Sequence, residues 1–75
     1  MSDITNYENL ANAIILQAVR DYRVALKCLT VNPRNKTALA DKEKIERFFR
    51  SDWFSVLTSV DGEMLIRSLN KEDIA

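Results

Sequence analysis

Few residues in this 75-residue sequence have side chains suited to catalysis. It contains no histidine, one cysteine (Cys28) and one glycine (Gly62). Without histidine, neither a Ser-His-Asp nor a Cys-His arrangement can form, and one thiol cannot assemble a metal site. A single glycine also excludes the glycine-rich loops that hold phosphates. The sequence therefore predicts a protein that is not an enzyme and that carries no cofactor and no metal.

Closely spaced carboxylates are the remaining candidates for acid–base chemistry. Glu43 and Glu46 fall on a charged helix face, and Asp61 and Glu63 fall at a helix start, where acidic residues are electrostatically favourable. Both pairs are interpreted as structural. Cys28 lies late in an apolar-rich helical segment and is interpreted as a small core or boundary residue.

The aromatic residues are concentrated in one short stretch. All three Phe and the only Trp fall within residues 48–54. Ser51 and Asp52, in the middle of this stretch, can accept hydrogen bonds from the free N–H groups that open a helix. The stretch therefore predicts a corner between two helices. We expect Trp53 in the core.

The alternative for Trp53 is a partner-binding surface, because Trp and Arg often dominate interface energetics. Its candidate residues are Arg47, Arg50, Trp53 and Phe54. Adjacent helical residues point about 100° apart, so Phe48/Phe49 and Trp53/Phe54 cannot both face one core. One aromatic of each pair is expected to build the fold and the other to face a second copy or a partner. This predicts a homo-oligomer, most simply a dimer, with an unidentified protein partner.

The charges are unevenly distributed although the formal net charge is zero. Residues 20–50 carry nine basic and four acidic side chains, a net of +5, and residues 51–75 carry two basic and five acidic, a net of −3. Two segments that attract each other are the preferred explanation. A nucleic-acid site is the alternative, with Arg34, Lys36, Lys42 and Lys44 as contacts beside the two arginines. The proline in the turn and the lack of base-reading Asn or Gln on the basic helix argue against it.

Apolar residues recur at helical spacing from about Asn6 to Thr30, including Tyr7, Leu10 and Ala11. We expect a first helix over this range with Asn6 as its N-cap. The helix must end before Pro33, because proline disfavours helical geometry in the preceding residue. Asn35 is expected to cap a second helix over residues 36–50, which completes an antiparallel hairpin.

Two shorter helices are predicted after the hairpin. One covers residues 52–59, and the other begins at Asp61 or Gly62 and ends near Asn70, with residues 71–75 frayed. The chain is thus predicted to be a single all-α domain over residues 1–75, a long helical hairpin plus one or two short C-terminal helices. The absence of a signal-peptide pattern and of an apolar run of about 18 residues predicts a cytoplasmic location without a membrane span.

Two parts of the sequence resemble known families. Ala18, Tyr22, Ala25-Leu26 and the Asn32-Pro33-x-Asn35-x-x-Ala38 turn resemble the joint between tetratricopeptide repeats, without a second copy at that period. Residues 46–63 are similar to a family of short uncharacterised proteins from prophages and mobile elements of Gram-positive bacteria. That resemblance implies an accessory protein of a mobile element.

Overall fold

The computed structural model describes the backbone of residues 3–74 and the side chains of residues 8–72. Within this range the chain forms four helices and no strand. They are α1 (Asp3–Val31), α2 (Lys36–Phe49), α3 (Asp52–Leu57) and α4 (Gly62–Ile74). The prediction of a small all-α bundle, a long hairpin followed by short helices, is confirmed.

Helix α1 is the longest element, with 29 residues or about 43 Å of rise. It starts at Asp3, so the prediction that Asn6 is its N-cap is wrong. Neither Gly nor Pro occurs between these positions, and nothing else there stops the helix from extending towards the N-terminus. The predicted place of the Tyr7 side chain in the apolar stripe lies outside the described residues.

The turn between α1 and α2 follows the prediction. Helix α1 ends at Val31, two residues before Pro33. The Asn35 side chain then accepts a hydrogen bond from the backbone N–H of Ala38 over 3.0 Å and caps α2. The hairpin closes tightly because small residues lie between its helices, with Ala25 and Ala38 both buried.

Helices α3 and α4 cover one side of this hairpin. The core there joins residues from all four helices, namely Tyr22, Leu26, Phe49, Phe54, Ile66 and Leu69. Helical geometry places another side of α1, which carries Ile14, Val24 and Cys28, between about a quarter and a half of a turn away from Tyr22 and Leu26 of this core. That side of the hairpin is not covered by α3 or α4 and lines an open groove with α2.

The two short helices begin where the sequence predicts. The Ser51 hydroxyl accepts a hydrogen bond from the Phe54 N–H over 3.2 Å, and the Asp61 carboxylate accepts one from the Glu63 N–H over 2.9 Å. Helix α3 ends at Leu57, two residues earlier than predicted.

Helix α4 is longer than predicted. It continues to Ile74, so the expectation that residues 71–74 are frayed is wrong, and Ala75 lies outside the described residues. Glu72, in the last turns, pairs with Arg23 of α1 over 3.0 Å. This pair joins the acidic C-terminal segment to the basic middle segment.

Candidate functional site

Of the two adjacent aromatic pairs, Trp53/Phe54 divides between surface and core as expected, whereas Phe48 packs against the same core as Phe49. Phe49 and Phe54 are buried, Phe48 is half-buried, and Trp53 is 57% exposed. The prediction that Trp53 is a core residue is therefore wrong, because Phe54 points into the core from the same turn. The prediction that Phe54 contacts a partner is wrong for the same reason: its side chain is enclosed within the chain.

Phe48 connects the buried aromatics to the exposed one. Its ring centroid lies 5.5 Å from that of Phe54 and 5.4 Å from that of Trp53, both in edge-to-face geometry. Such pairs contribute about 0.5–1.5 kcal/mol beyond burial. Trp53 is thus held in a defined position although most of its surface faces solvent.

Trp53 stands beside an open groove of about 770 Å³ between α1 and α2. We call this the α1/α2 groove. The α1 wall includes Ile14, Gln17, Ala18, Asp21, Val24 and Cys28. The α2 wall includes Thr37, Ala38, Asp41, Lys44, Ile45 and Phe48.

The groove combines a small-residue floor with apolar and charged walls. Ala25 and Ala38 are buried at its base, whereas Val24 on the wall is 59% exposed. Two acidic residues and one basic residue, Asp21, Asp41 and Lys44, also line it. A surface with an alanine floor and partly exposed apolar walls allows the close approach of another helix.

The candidate arginines lie apart from Trp53. Arg47 and Arg50 line a separate shallow depression with Glu43 and Glu46. The Arg50 guanidinium donates to the carboxylate of Glu63 at the start of α4. The structure therefore does not bring Arg47, Arg50, Trp53 and Phe54 onto one surface, and Arg50 serves to join α2 to α4.

The four candidate nucleic-acid contacts are dispersed over the hairpin. Arg34 lies in the turn and Lys36 at the start of α2, both exposed. Lys42 pairs with Glu46 over 2.7 Å, and Lys44 lies in the α1/α2 groove. Residues two apart on a helix point about 200° apart, so Lys42 and Lys44 face nearly opposite directions. No single basic face results from these four residues.

A polar cluster lies on the covered side of the hairpin. The Tyr22 hydroxyl donates to Glu46 over 2.6 Å and accepts from the Asn70 amide over 2.8 Å. Burial, and then the hydrogen bond to Glu46, raise the pKa of Tyr22 to about 12. Burial alone would raise the pKa of Glu46, but the hydrogen bonds from Lys42 and Tyr22 lower it overall. This cluster links α1, α2 and α4. At neutral pH the Tyr22 hydroxyl is protonated and the Glu46 carboxylate is ionised.

Chemical groups suited to other functions are sparse in the described part of the chain. No three Cys, Asp or Glu side chains there come together to hold a metal ion. Cys28 is half-buried in the wall of the α1/α2 groove. Among the described helices, none has the length and apolar character required to cross a membrane.

Comparison with protein-family models, with curated proteins and with solved structures found no match to this chain. The similarity of residues 46–63 to mobile-element proteins and that of the hairpin turn to tetratricopeptide joints remain predictions.

The α1/α2 groove was not predicted from the sequence. Leu10, expected on the inner stripe of α1, is 60% exposed. It begins a second stripe at spacings of four and three, with Ile14, Gln17, Asp21, Val24 and Cys28. A second stripe with four apolar residues out of six indicates a second packing partner for the helix, and this stripe was the signal that could have located the groove.

Proposed function

We propose that this chain is a small protein-interaction module without enzymatic activity, which binds an apolar helix of another polypeptide in the α1/α2 groove. The observation that carries the proposal is a groove between two helices with an alanine floor, partly exposed apolar walls and a half-exposed tryptophan at its side. Amphipathic helices bind such grooves through side chains at spacings of three and four residues.

Trp53 is the residue best suited to contribute binding energy. It is the only tryptophan in the sequence, and its ring is held by Phe48 with more than half its surface free. Tryptophan is enriched among the residues that dominate interface energetics. Its position beside the groove allows one face of an inserted helix to contact both Trp53 and the apolar wall.

We propose that this chain is an accessory protein of a mobile element and that it acts in the cytoplasm. The setting rests on the predicted resemblance of residues 46–63 to prophage proteins. Nucleic-acid binding through Arg34, Lys36, Lys42 and Lys44 is the alternative. It is supported less well, because Lys42 is paired with Glu46 and because Asp21 and Asp41 in the groove would repel phosphates.

The proposal is tested by selecting helical peptides from a display library on sparsely immobilised protein. We expect enrichment of amphipathic helices with apolar residues at i, i+3, i+4 and i+7. Val24→Lys should weaken binding of the selected peptides at least about tenfold, because it places a charge on the apolar wall.

The matched control is Leu16→Lys. Leu16 is also on α1 and 53% exposed, but it does not line the groove. This variant should bind as the wild type does. Equal weakening by both substitutions, or no enrichment of amphipathic helices on the wild type, would contradict the proposed function.

A further inference from the structure

We infer that the occupant of the α1/α2 groove is a second copy of this chain, docked groove to groove in a two-fold dimer, with Lys44 of each copy paired to Asp21 or Asp41 of the other. The inference rests on the proposed function of the groove and names its partner. A two-fold interface places the same surface patch on both sides, so the patch must be complementary to itself.

The charges of the groove meet this requirement. Lys44 and Asp41 are both exposed and form no ion pair within the described residues. The Asp21 carboxylate accepts one hydrogen bond from Gln17 over 2.9 Å and has no cationic partner there. Both signs of charge are thus present, without ion-pair partners, on one surface.

The apolar pattern of α1 is also that of a helix packed against another helix. Positions 10, 14, 17, 21, 24 and 28 alternate spacings of four and three, which is the seam of a heptad pattern. Leu10 and Val24 on this seam are largely exposed, and Gln17 and Asp21 are its polar members. Polar residues within such a seam fix the register and the number of helices.

The accessible surface is large enough to supply a dimer interface. It amounts to 5752 Å² for this 8.6 kDa chain. A compact monomer of that mass exposes about 4,700 Å². A standard interface takes roughly 800 Å² from each partner, which is a minor part of the exposed surface of this chain.

The test is a reciprocal charge exchange followed by sedimentation velocity. One variant, Lys44→Glu, makes the three groove charges acidic; the other, Asp21→Lys with Asp41→Lys, makes all three basic. Wild type should sediment as a dimer at tens of micromolar. Each variant alone should dissociate at least about tenfold more readily, because like charges then oppose each other. An equimolar mixture should restore a one-to-one dimer.

Glu43→Lys is the control for a change of charge on α2 outside the groove. Glu43 is exposed and lines the depression on the other side, so this variant should remain dimeric. Circular dichroism establishes that each variant is folded, which is expected because all four substituted positions are exposed. Variants that dimerise like the wild type, or a folded mixture that fails to associate, would overturn the inference.

Failure of this inference is distinguishable from failure of the proposed function. A monomeric wild type that binds the selected amphipathic peptides, with loss in Val24→Lys, refutes the second copy as occupant and leaves the groove as a binding site for another protein. A monomeric wild type that binds no such peptide refutes both.

Discussion

Glu46 is the residue on which the polar contacts of the fold converge. Its carboxylate accepts hydrogen bonds from Tyr22 and Lys42, at 2.6 and 2.7 Å, and lies 3.9 Å from the Arg50 guanidinium. Hydrogen bonds to a charged group contribute about 1.5–3 kcal/mol when partly buried. The ionised form of Glu46 is therefore favoured by the folded state, in agreement with its lowered pKa.

The lowered pKa of Glu46 predicts a loss of stability in acid. The folded state binds fewer protons at this site than the unfolded state, so the stabilisation is complete above the ordinary pKa of 4.5 and is lost as the pH falls through the lowered value. Glu46→Gln should reduce the free energy of unfolding by about 1–2 kcal/mol at pH 7. The difference from wild type should shrink towards pH 3, measured by urea unfolding at several pH values.

Glu43→Gln provides the comparison for this measurement. Glu43 is an exposed residue on the same helix with no ion pair within the described residues, so its substitution should change stability little at any pH. A gap between wild type and Glu46→Gln that is equally large at pH 3 and pH 7 would show that the charge of Glu46 is not what stabilises the fold.

Which of the two neighbouring aromatics is exposed, Trp53 or Phe54, could not be predicted from the sequence. Helical geometry established that Trp53 and Phe54 point in different directions. Which of them faces the core depends on the direction in which α3 leaves the Ser51 cap, and that direction is set by packing against Phe48 and Phe49. The division of Trp53 and Phe54 between surface and core was therefore predictable, but the choice of Phe54 as the buried residue was not.

At the scale of elements, the junction of α2 and α4 depends on the only glycine. A Cβ atom added to Gly62 would lie 2.0 Å from the carbonyl oxygen of Phe49, a backbone atom that cannot move without displacing the end of α2. Gly62 does not have a positive φ, so the requirement is for space and not for an unusual backbone conformation.

Gly62→Ala is therefore expected to destabilise the protein although alanine is the better helix former. Forcing a methyl group into this contact should cost about 1–3 kcal/mol or more. Denaturant unfolding followed by circular dichroism measures the loss. Ser68→Ala, an exposed substitution in the same helix, should be neutral or slightly stabilising. An unchanged midpoint for Gly62→Ala would show that α4 does not approach α2 this closely.

Helix boundaries were predictable where they depend on neighbouring residues. The caps at Asn35, Ser51 and Asp61 are hydrogen bonds between residues two or three apart, so their side-chain types indicate them directly. The end of α4 was not predictable, because Glu72 pairs with Arg23, 49 positions away in the sequence. Local patterns contain no information on such a contact.

At the scale of the whole molecule, the open side of the hairpin is the principal finding. The sequence places apolar side chains on more helix faces than one small bundle can enclose, and self-association was predicted for that reason. Part of the apolar surface that stays exposed, at Val24 and Trp53, lies at the α1/α2 groove, because α3 and α4 cover only the side of Tyr22 and Phe49. The surface that we propose for binding, the α1/α2 groove, lies beside Trp53 and away from Arg47 and Arg50.

The most direct test of the groove as a binding surface is acrylamide quenching of Trp53 fluorescence, since Trp53 is the only tryptophan. We expect quenching of wild type to decrease as protein concentration rises from below one to about one hundred micromolar, because an occupied groove shields the ring; Val24→Lys should stay fully quenchable. Quenching of wild type that changes neither with concentration nor with added amphipathic peptide would contradict the account.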